Sequence, residues 1–291
     1  MIALRERLAR APILLAPGVY DAMTAALAEA AGAEAVYLSG AAVSYTRLGR
    51  PDIGLATMSE MADTLALIRD RIGLPIIIDA DNAFGNALNA QRTMRVYERA
   101  GAAALQVEDQ AYPKRCGHLT DKALIPAAEM AGKIAAMADA RSADTLIVAR
   151  TDAIAVEGFD AALERAEMYL AAGADALFVE APRTAAELAG VVQRFAGRAP
   201  LMANMVEGGA TPMATAAELE RMGFALVIFP GGIVRALMRA AEEYYASLIA
   251  HGSNAPFAGR MFDFAALNDR LGTAGMLAEG ARFAGPPERG T

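Results

Sequence analysis

Short apolar runs rich in β-branched residues alternate with alanine-rich segments along most of this 291-residue chain. Such alternation is typical of βα units, in which a helix follows each strand of a parallel sheet. Eight units in about 250 residues favour the α/β class and a (β/α)8 TIM barrel over an open sheet. The runs predict strands over Ile13–Val19, Ala35–Gly40, Pro75–Asp81, Ala103–Asp109, Thr145–Thr151, Ala174–Glu180, Leu201–Val206 and Phe224–Pro230.

The segments between the strands have apolar residues at helical spacing. Three of them end in Ala-Gly-Ala, at Gly32, Gly101 and Gly173, where glycine suits the left-handed residue that ends a helix. The pattern changes after residue 250, and one further helix is predicted from Asp263 to Arg282. We therefore expect a catalytic barrel over residues 1–250 and a helical extension over 251–291, which packs on its own barrel or on a partner subunit. The clearest helices of the barrel are Asp21–Ala31, Asn89–Ala100, Phe159–Ala172 and Ile233–Ala250.

Composition excludes several classes of partner. The net charge is −7 and the charges are scattered, so the chain lacks the basic surface that nucleic acids bind. Apolar runs such as Ile13–Val19 are much shorter than the roughly 20 residues of a membrane helix, so no membrane association is expected. The single cysteine, Cys116, excludes an internal disulfide and favours a reducing compartment, the cytoplasm.

Polar side chains stand where several of the predicted strands end. In a (β/α)8 barrel these C-terminal ends share one rim, and that rim carries the chemistry. Any one of these residues could be a solvated strand end or a helix cap. So many of them, from separate strands, indicate an active site. They are Tyr37 and Ser39, Asp79 and Asp81, Glu108, Arg150, Glu180 and Asn204.

The aspartates of the third strand predict a metal site. Asp79 and Asp81 are two residues apart, so on a strand their side chains point to the same side. Two carboxylates held so close repel each other unless a cation neutralises them. Because the chain has no cluster of thiols and imidazoles, oxygen ligands and Mg²⁺ or Mn²⁺ are favoured over zinc. We expect one carboxylate to bind the ion directly and others to act through bound water, with Glu108 and the loop residue Asp52 as further candidates beside Asp79 and Asp81.

The segment Lys114-Arg115-Cys116-Gly117-His118 lies in a long connection after the fourth strand. A loop of about 15 residues in a compact barrel is usually a lid or a binding loop. Two cations before the thiol and an imidazole after it favour a thiolate or a readily transferred proton. We interpret Cys116 as a mobile acid that acts with these neighbours. The alternatives are an inert, buried Cys116 and a His118 that makes only loop hydrogen bonds.

Two common enzyme mechanisms are disfavoured. The chain has three lysines, Lys114, Lys122 and Lys133, and none lies in a predicted strand, where a Schiff-base aldolase of this fold would carry its nucleophile. Ser39 lacks the Gly-x-Ser-x-Gly elbow of the serine hydrolases. Metal-assisted chemistry with a mobile acid remains.

Five segments together resemble the isocitrate lyase and phosphoenolpyruvate mutase superfamily over about residues 10 to 250. The Lys-Arg-Cys-Gly-His segment resembles the carbon–carbon lyase branches, such as 2-methylisocitrate lyase. The segment from Asn204 to Pro212 looks closest to the branch of 2,3-dimethylmalate lyase and oxaloacetate acetylhydrolase. The five segments are Tyr37–Gly40, Asp79–Asp81, Glu108–Gln110, Lys114–His118 and Ala149–Asp152.

The resemblance implies a Mg²⁺-dependent lyase that cleaves the C2–C3 bond of a substituted 2-hydroxy di- or tricarboxylate. The products would be pyruvate or another 2-oxo acid and a carboxylic acid. An oxaloacetate hydrolase or decarboxylase at the same metal site is the alternative within enzymes. A non-catalytic barrel that binds a dicarboxylate is the alternative outside them.

The resemblance also implies roles for single residues. Catalytic roles are expected for Tyr37, Lys114, Arg115, Cys116 and His118. Cys116 would protonate the product enolate, which His118 and Asn204 would stabilise by hydrogen bonds. Substrate contacts are expected from Ser39, Gly40, Ala41, Arg150, Glu180 and Asn204, of which the first three would hold the 2-oxo acid half.

Two positions depart from the methylisocitrate lyase pattern. Ala41 and Ala42 stand where those enzymes typically have glycines, and Gly209 stands where they tend to have phenylalanine. Less room at one end of the site and more at the other predict a preference for alkyl-substituted malates over tricarboxylates. The resemblance further implies that the eighth helix is exchanged between subunits, giving a homo-oligomer that is a dimer of dimers.

Overall fold

Eight parallel strands form one sheet in the computed structural model, which describes residues 3–117 and 121–284. Hydrogen-bonded neighbours follow the order β6-β5-β4-β3-β2-β1-β8-β7. A parallel bridge between Leu177 and Leu201 joins β6 to the residue before β7, so the sheet closes on itself. The predicted (β/α)8 TIM barrel is confirmed. Its strands are β1 Leu14–Val19, β2 Val36–Leu38, β3 Ile76–Asp79, β4 Ala104–Glu108, β5 Leu146–Thr151, β6 Ala176–Val179, β7 Met202–Asn204 and β8 Leu226–Phe229.

Both faces of the strands are buried, which explains their nearly unbroken apolar sequences. In β3, Ile77 belongs to the apolar cluster inside the barrel, together with Leu14 and Phe178. Its neighbours Ile76 and Ile78 belong to the second cluster, between the strands and the surrounding helices. The barrel therefore has two apolar layers, and polar groups collect at the strand ends.

Helices follow the strands, and their ends are fixed by local signals. Gly32, Gly101 and Gly173 have φ of 91°, 96° and 108°, so each predicted Ala-Gly-Ala segment adopts the left-handed turn that ends its helix. β2 ends at Leu38, earlier than predicted, because Ser39 caps a short helix there: its Oγ accepts a hydrogen bond from Ala42 N–H at 3.2 Å. The helices are α1 Leu4–Leu8, α2 Ala22–Ala30, α3 Gly40–Val43, α4 Met58–Arg71, α5 Ala87–Arg99, α6 Ala127–Ala140, α7 Phe159–Ala171, α8 Ala185–Phe195, α9 Ala216–Met222, α10 Gly232–His251, α11 Phe264–Leu271 and α12 Thr273–Ala281.

The chain divides into two compact units, one up to Val234 and one from Arg235 onward. In the second unit, Tyr244 packs edge-on against Phe257 with ring centroids 5.5 Å apart. The prediction of one continuous tail helix is wrong, because Gly272 has φ of 78° and separates α11 from α12. None of the helices in the described part of the chain combines the length and apolarity needed to cross a membrane.

Candidate active site

Charged side chains are buried together at the C-terminal ends of β3 to β6 and in the loops beside them. Six of them are carboxylates and three are cations, so the group carries more negative than positive charge when every carboxyl is ionised. Burial makes such an excess costly, because charges are poorly screened away from water. The carboxylates are Asp52, Asp79, Asp81, Glu108, Asp152 and Glu180, and the cations are Lys114, Lys122 and Arg150.

Asp79 is the last residue of β3, and backbone groups orient its carboxylate. Oδ2 accepts a hydrogen bond from the N–H of Gly40 at 3.2 Å, and Oδ1 accepts one from the N–H of Asp81 at 3.1 Å. A Cβ on residue 40 would lie 3.0 Å from Oδ2. Glycine at position 40 therefore lets α3 approach the carboxylate closely.

Asp81 lies beyond the end of β3, in a left-handed conformation with φ of 45°. The strand alternation used to predict its direction therefore does not reach it. Its Oδ1 is 2.6 Å from Nζ of Lys114, which also donates a hydrogen bond to Asp52. The chain itself thus supplies a cation to these carboxylates, which the sequence argument did not foresee.

Burial and neighbouring charges change the acidity of this pair in opposite ways. Burial raises the pKa of Asp81 to about 7, although the charge of Lys114 opposes the change. Burial by itself would lower the pKa of Lys114. The negative charges of Asp81, Asp52 and other carboxylates outweigh it and raise that pKa well above its usual value. Lys114 therefore stays protonated at neutral pH.

Arg150, at the end of β5, connects carboxylates from three strand ends. Its Nη1 is 3.1 Å from Oε2 of Glu108, and its Nε and Nη2 donate to the two oxygens of Asp152 at 2.8 and 3.0 Å. Glu180 lies 3.9 Å from Nε, and the ring of Phe178 lies beneath the guanidinium, with its centroid 5.2 Å away. Arg150 is thus held rigidly among carboxylates of the chain.

Glu108 has one carboxyl oxygen without a hydrogen-bond partner in the described part of the chain. Burial raises its pKa well above the usual value, although the charge of Arg150 opposes this. Its Oε1 has no hydrogen-bond partner among the described residues, and the same holds for Oδ1 of Asn204. The other side-chain atom of Asn204, Nδ2, donates to Oε2 of Glu180 at 3.3 Å. Polar capacity for a ligand therefore remains at the ends of β4 and β7.

The β2 end contributes a buried phenol and a short backbone turn. Tyr37 points into the barrel interior, where its hydroxyl donates to Oε1 of Gln106 at 2.5 Å. Burial, and after it the charge of Asp79, raises the pKa of Tyr37 well above the usual value. Ser39 is buried, whereas Ala41 is half-buried. The structure thus brings the predicted segment to the same rim as Asp79.

The loop that carries Cys116 packs onto this cluster. A Cβ on Gly117 would lie 2.5 Å from Nη2 of Arg150 and 2.8 Å from the carboxyl carbon of Glu180. The N–H of Cys116 donates to the main-chain oxygen of Asp52 at 3.2 Å. The backbone beside the thiol is therefore in contact with both sides of the charged cluster.

Two side chains that sequence reasoning missed hold this loop in place. Gln110 donates to the carbonyl oxygen of Arg115 at 2.8 Å and accepts from its N–H at 2.9 Å. Lys122, whose side chain is 1% exposed, donates to Gly117 O at 2.5 Å and to Oδ1 of Asp152 at 2.8 Å. The predicted His118 lies outside the described residues.

Asp109, at the end of the fourth predicted strand, is a third residue to which sequence reasoning gave no role in the site. It accepts hydrogen bonds from the N–H of Asp152 at 2.9 Å and from the hydroxyls of Thr151 and Tyr169 at 2.7 and 2.8 Å. These bonds fix the end of β5, from which Arg150 projects. Its position directly after Glu108, at a strand end, was the available signal.

The matches to known proteins agree with this geometry. The sequence model of the phosphoenolpyruvate phosphomutase family matches residues 4–249. This chain belongs to that family. The 2-methylisocitrate lyase of Aeropyrum pernix is 45% identical over 93% of this chain and 87% of its own length. The 2,3-dimethylmalate lyase of Eubacterium barkeri is 41% identical over 92% and 93%.

Solved structures of phosphoenolpyruvate phosphomutase relatives share the fold. A crystal structure of 2,3-dimethylmalate lyase has a TM-score of 0.92 and 33% identity, covering 100% of this chain and 98% of that chain. Oxaloacetate acetylhydrolase with 3,3-difluorooxalacetate has a TM-score of 0.90 and 31% identity over 98% and 97%. Phosphonopyruvate hydrolase with oxalate and Mg²⁺ has a TM-score of 0.86 and 30% identity over 97% and 98%. The predicted superfamily and the predicted enzyme class, a carbon–carbon lyase, are confirmed.

Gly40→Ala should displace the Asp79 carboxylate, because the added Cβ would lie 3.0 Å from Oδ2. We expect kcat/KM for cleavage to fall by about 10- to 100-fold, since small misplacements of reacting groups cost that much. Gly132→Ala in α6 is the matched control, because its Cβ meets nothing within 4 Å. It should keep kcat/KM and raise the free energy of unfolding by about 0.5–1 kcal/mol. Equal kcat/KM in the two variants would contradict the role of Gly40.

Proposed function

We propose that this chain is a Mg²⁺-dependent lyase that cleaves the C2–C3 bond of a substituted 2-hydroxy dicarboxylate of the 2,3-dimethylmalate type. A tricarboxylate of the 2-methylisocitrate type is the second substrate class, since relatives are named for both. The observation that carries the proposal is the contact of the Cys116 loop with Arg150 and Glu180. This contact would bring the Cys116 thiol, the proposed proton donor, to the buried charged cluster.

The donor set fits a hard divalent cation. The cluster offers carboxylate oxygens in excess over cations, and Oε1 of Glu108 lacks a partner among the described residues. Within residues 3–117 and 121–284, no three His, Cys, Asp or Glu side chains stand close enough to chelate an ion by themselves. Mg²⁺ keeps much of its water and takes one or two carboxylates of a protein directly. Asp79 would bind it directly, and Asp52, Asp81 and Glu108 would bind its water.

Residues of the chain would bind and orient the substrate at the metal. Bound Mg²⁺ would polarise the 2-hydroxyl and the adjacent carboxylate of the substrate. Ser39, Gly40 and Ala41 would hold the 2-oxo acid half, and Arg150 would face a substrate carboxylate. A carboxylate of the cluster would accept the proton of the 2-hydroxyl as C2 becomes a carbonyl, and the electron pair of the broken C2–C3 bond would pass to C3.

The second product leaves C2–C3 cleavage as an enolate-like dianion. Hydrogen bonds from Asn204 and His118 and the nearby cations would stabilise it. The Cys116 thiol would then protonate C3, and Lys114 and Arg115 would keep the resulting thiolate favourable. The Tyr37 hydroxyl donates a hydrogen bond to Gln106. From inside the barrel, Tyr37 would help to hold the carboxylates of the rim in position.

Hydrolysis or decarboxylation of oxaloacetate at the same site is the second candidate. It is favoured by the similarity to oxaloacetate acetylhydrolase bound to 3,3-difluorooxalacetate. The third candidate is a barrel that binds a dicarboxylate without catalysis. This function would give no role to the Cys116 loop, which packs on the charged cluster.

We also propose a homo-oligomer, a dimer of dimers, in which the residues after about 250 and the eighth helix pack on a partner subunit. On the barrel, Leu15 of β1 is 42% exposed and lines an apolar groove of ≈ 550 Å³ with Leu27 and Ile233. In the second unit, no residue of α11 or α12 is buried, and Phe264 is 84% exposed. Exposed apolar side chains grouped in this way are candidate association surfaces. The single thiol supports a cytoplasmic location.

A substrate panel tests the function. Purified enzyme with Mg²⁺ should convert 2,3-dimethylmalate to pyruvate and propionate, with a higher kcat/KM than for citramalate, isocitrate or 2-methylisocitrate. Mass spectrometry of the products would separate the candidates, because oxaloacetate would give oxalate and acetate by hydrolysis or pyruvate and CO₂ by decarboxylation. EDTA should abolish turnover and Mn²⁺ restore it. A preference for 2-methylisocitrate above about 100-fold would replace the dicarboxylate assignment with the tricarboxylate one.

Cys116→Ser should lower kcat by about 10²- to 10⁴-fold, the usual worth of a positioned acid. Mg²⁺ affinity and the urea midpoint of unfolding should not change, because the thiol contributes neither a metal ligand nor core packing. In D₂O, the carboxylic acid product should carry one deuterium at the former C3. Unchanged kcat in the serine variant would leave Cys116 as an inert thiol.

Leu15→Glu should break up the assembly, because a charge would enter the apolar groove. Leu67→Glu, on the exposed face of α4, is the control and should leave the assembly intact. Sedimentation velocity should show a tetramer for the wild type and the control, and smaller species for Leu15→Glu. A wild-type monomer at micromolar concentration would contradict the proposed assembly.

A further inference from the structure

The turn that follows β3 has an unusual backbone. Asp81, Ala83 and Phe84 have φ of 45°, 62° and 57°, and none of them is glycine. Left-handed conformations are unfavourable for residues with a Cβ and persist only where the surroundings enforce them. Asp81 belongs to the proposed metal site, so whatever enforces this turn also places that carboxylate.

Side chains hold the turn from several directions. Oδ1 of Asn82 accepts a hydrogen bond from the N–H of Phe84 at 3.1 Å. Nδ2 of Asn82 donates to the carbonyl oxygen of Gln110 at 3.4 Å. From α6, Nζ of Lys133 donates to the carbonyl oxygen of Asn82 at 3.0 Å. This last bond holds the peptide group between Asn82 and Ala83, one residue beyond Asp81, from outside the turn.

Burying the ammonium of Lys133 costs free energy, and one hydrogen bond compensates little of that cost. The residue is 3% exposed, and burial lowers its pKa. Its bond to Asn82 is its one hydrogen bond within the described residues. The charge of Glu129 on the same helix favours the ammonium, but no carboxylate there forms an ion pair with it. A buried ammonium with so little compensation does not favour folding over an apolar side chain of similar length. We therefore look for the role of Lys133 in the active site and not in the stability of the fold.

We propose that Lys133 is a positioning residue that clamps the Asn82 carbonyl and thereby presents Asp81 to the divalent cation. The inference rests on the proposed function, because it requires the metal site. Lys133 touches neither substrate nor metal. It acts through the turn, as partners of metal-binding side chains commonly do.

Lys133→Met tests the clamp, because methionine keeps much of the length and removes the ammonium. The Kd for Mg²⁺, measured by calorimetry without substrate, should rise about 10- to 100-fold. The urea midpoint of the metal-free protein should stay the same or rise, since a buried charge is removed. Backbone amides of residues 81–85 should exchange hydrogen faster. Lys133→Arg, which keeps a charged donor, should recover part of the affinity.

Ile134→Val is the matched control, because it alters a buried neighbour on the same helix. It should leave both the Mg²⁺ affinity and the exchange of residues 81–85 unchanged. A wild-type Kd and wild-type exchange in Lys133→Met would overturn the clamp. If Lys133→Met and Ile134→Val both lower the urea midpoint and the Mg²⁺ affinity, the clamp would also be overturned. The losses would then come from disturbed packing of α6. The wild-type titration reports separately on the proposed function: no Mg²⁺ binding there would refute the metal itself.

Discussion

The ion pairs of Arg150 are the interaction on which the site depends. One guanidinium contacts Glu108 of β4, Asp152 after β5 and Glu180 after β6, and Gly117 of the Cys116 loop packs against it. Removing such a cation would leave buried carboxylates without compensation, which costs far more than an exposed ion pair contributes. The packing of Gly117 and the alignment of three strand ends therefore rest on the same side chain.

The barrel makes this arrangement possible by separating apolar and charged regions along each strand. β3 reads Ile76-Ile77-Ile78 and then Asp79, so three residues serve the two apolar layers and the fourth reaches the rim. β4 repeats the arrangement with Glu108. The apolar layers provide the favourable free energy that offsets the buried charges. Parallel strands bring these end residues to one rim, although 29 positions separate Asp79 from Glu108 in the chain.

The sequence predicts the fold well because the barrel depends on local patterns. All eight strands and the three glycine helix ends follow from apolar runs and cap residues. It predicts which residues reach the rim for the same reason. It does not predict their partners, because Lys114 with Asp81, and Lys122 with Asp152, are pairs between a loop and a strand end. The periodicity of apolar residues does not predict the turn at Asp81 or the break at Gly272, because both depend on residues in the left-handed conformation.

Charge balance links the proposed metal to the proposed substrate. When all are ionised, six carboxylates face three cations in the cluster, so the site already carries an excess of negative charge. Part of that excess is relieved by protons, because burial raises the pKa values of Asp81 and Glu108. A divalent cation adds two positive charges, and a dicarboxylate substrate adds two negative ones, so together they leave the total unchanged. A tricarboxylate adds one negative charge more, which a buried site can accept only with a further cation or proton. Within the described residues, Arg150, Lys114 and Lys122 already contact carboxylates of the chain, so this charge balance supports the proposed preference for a dicarboxylate.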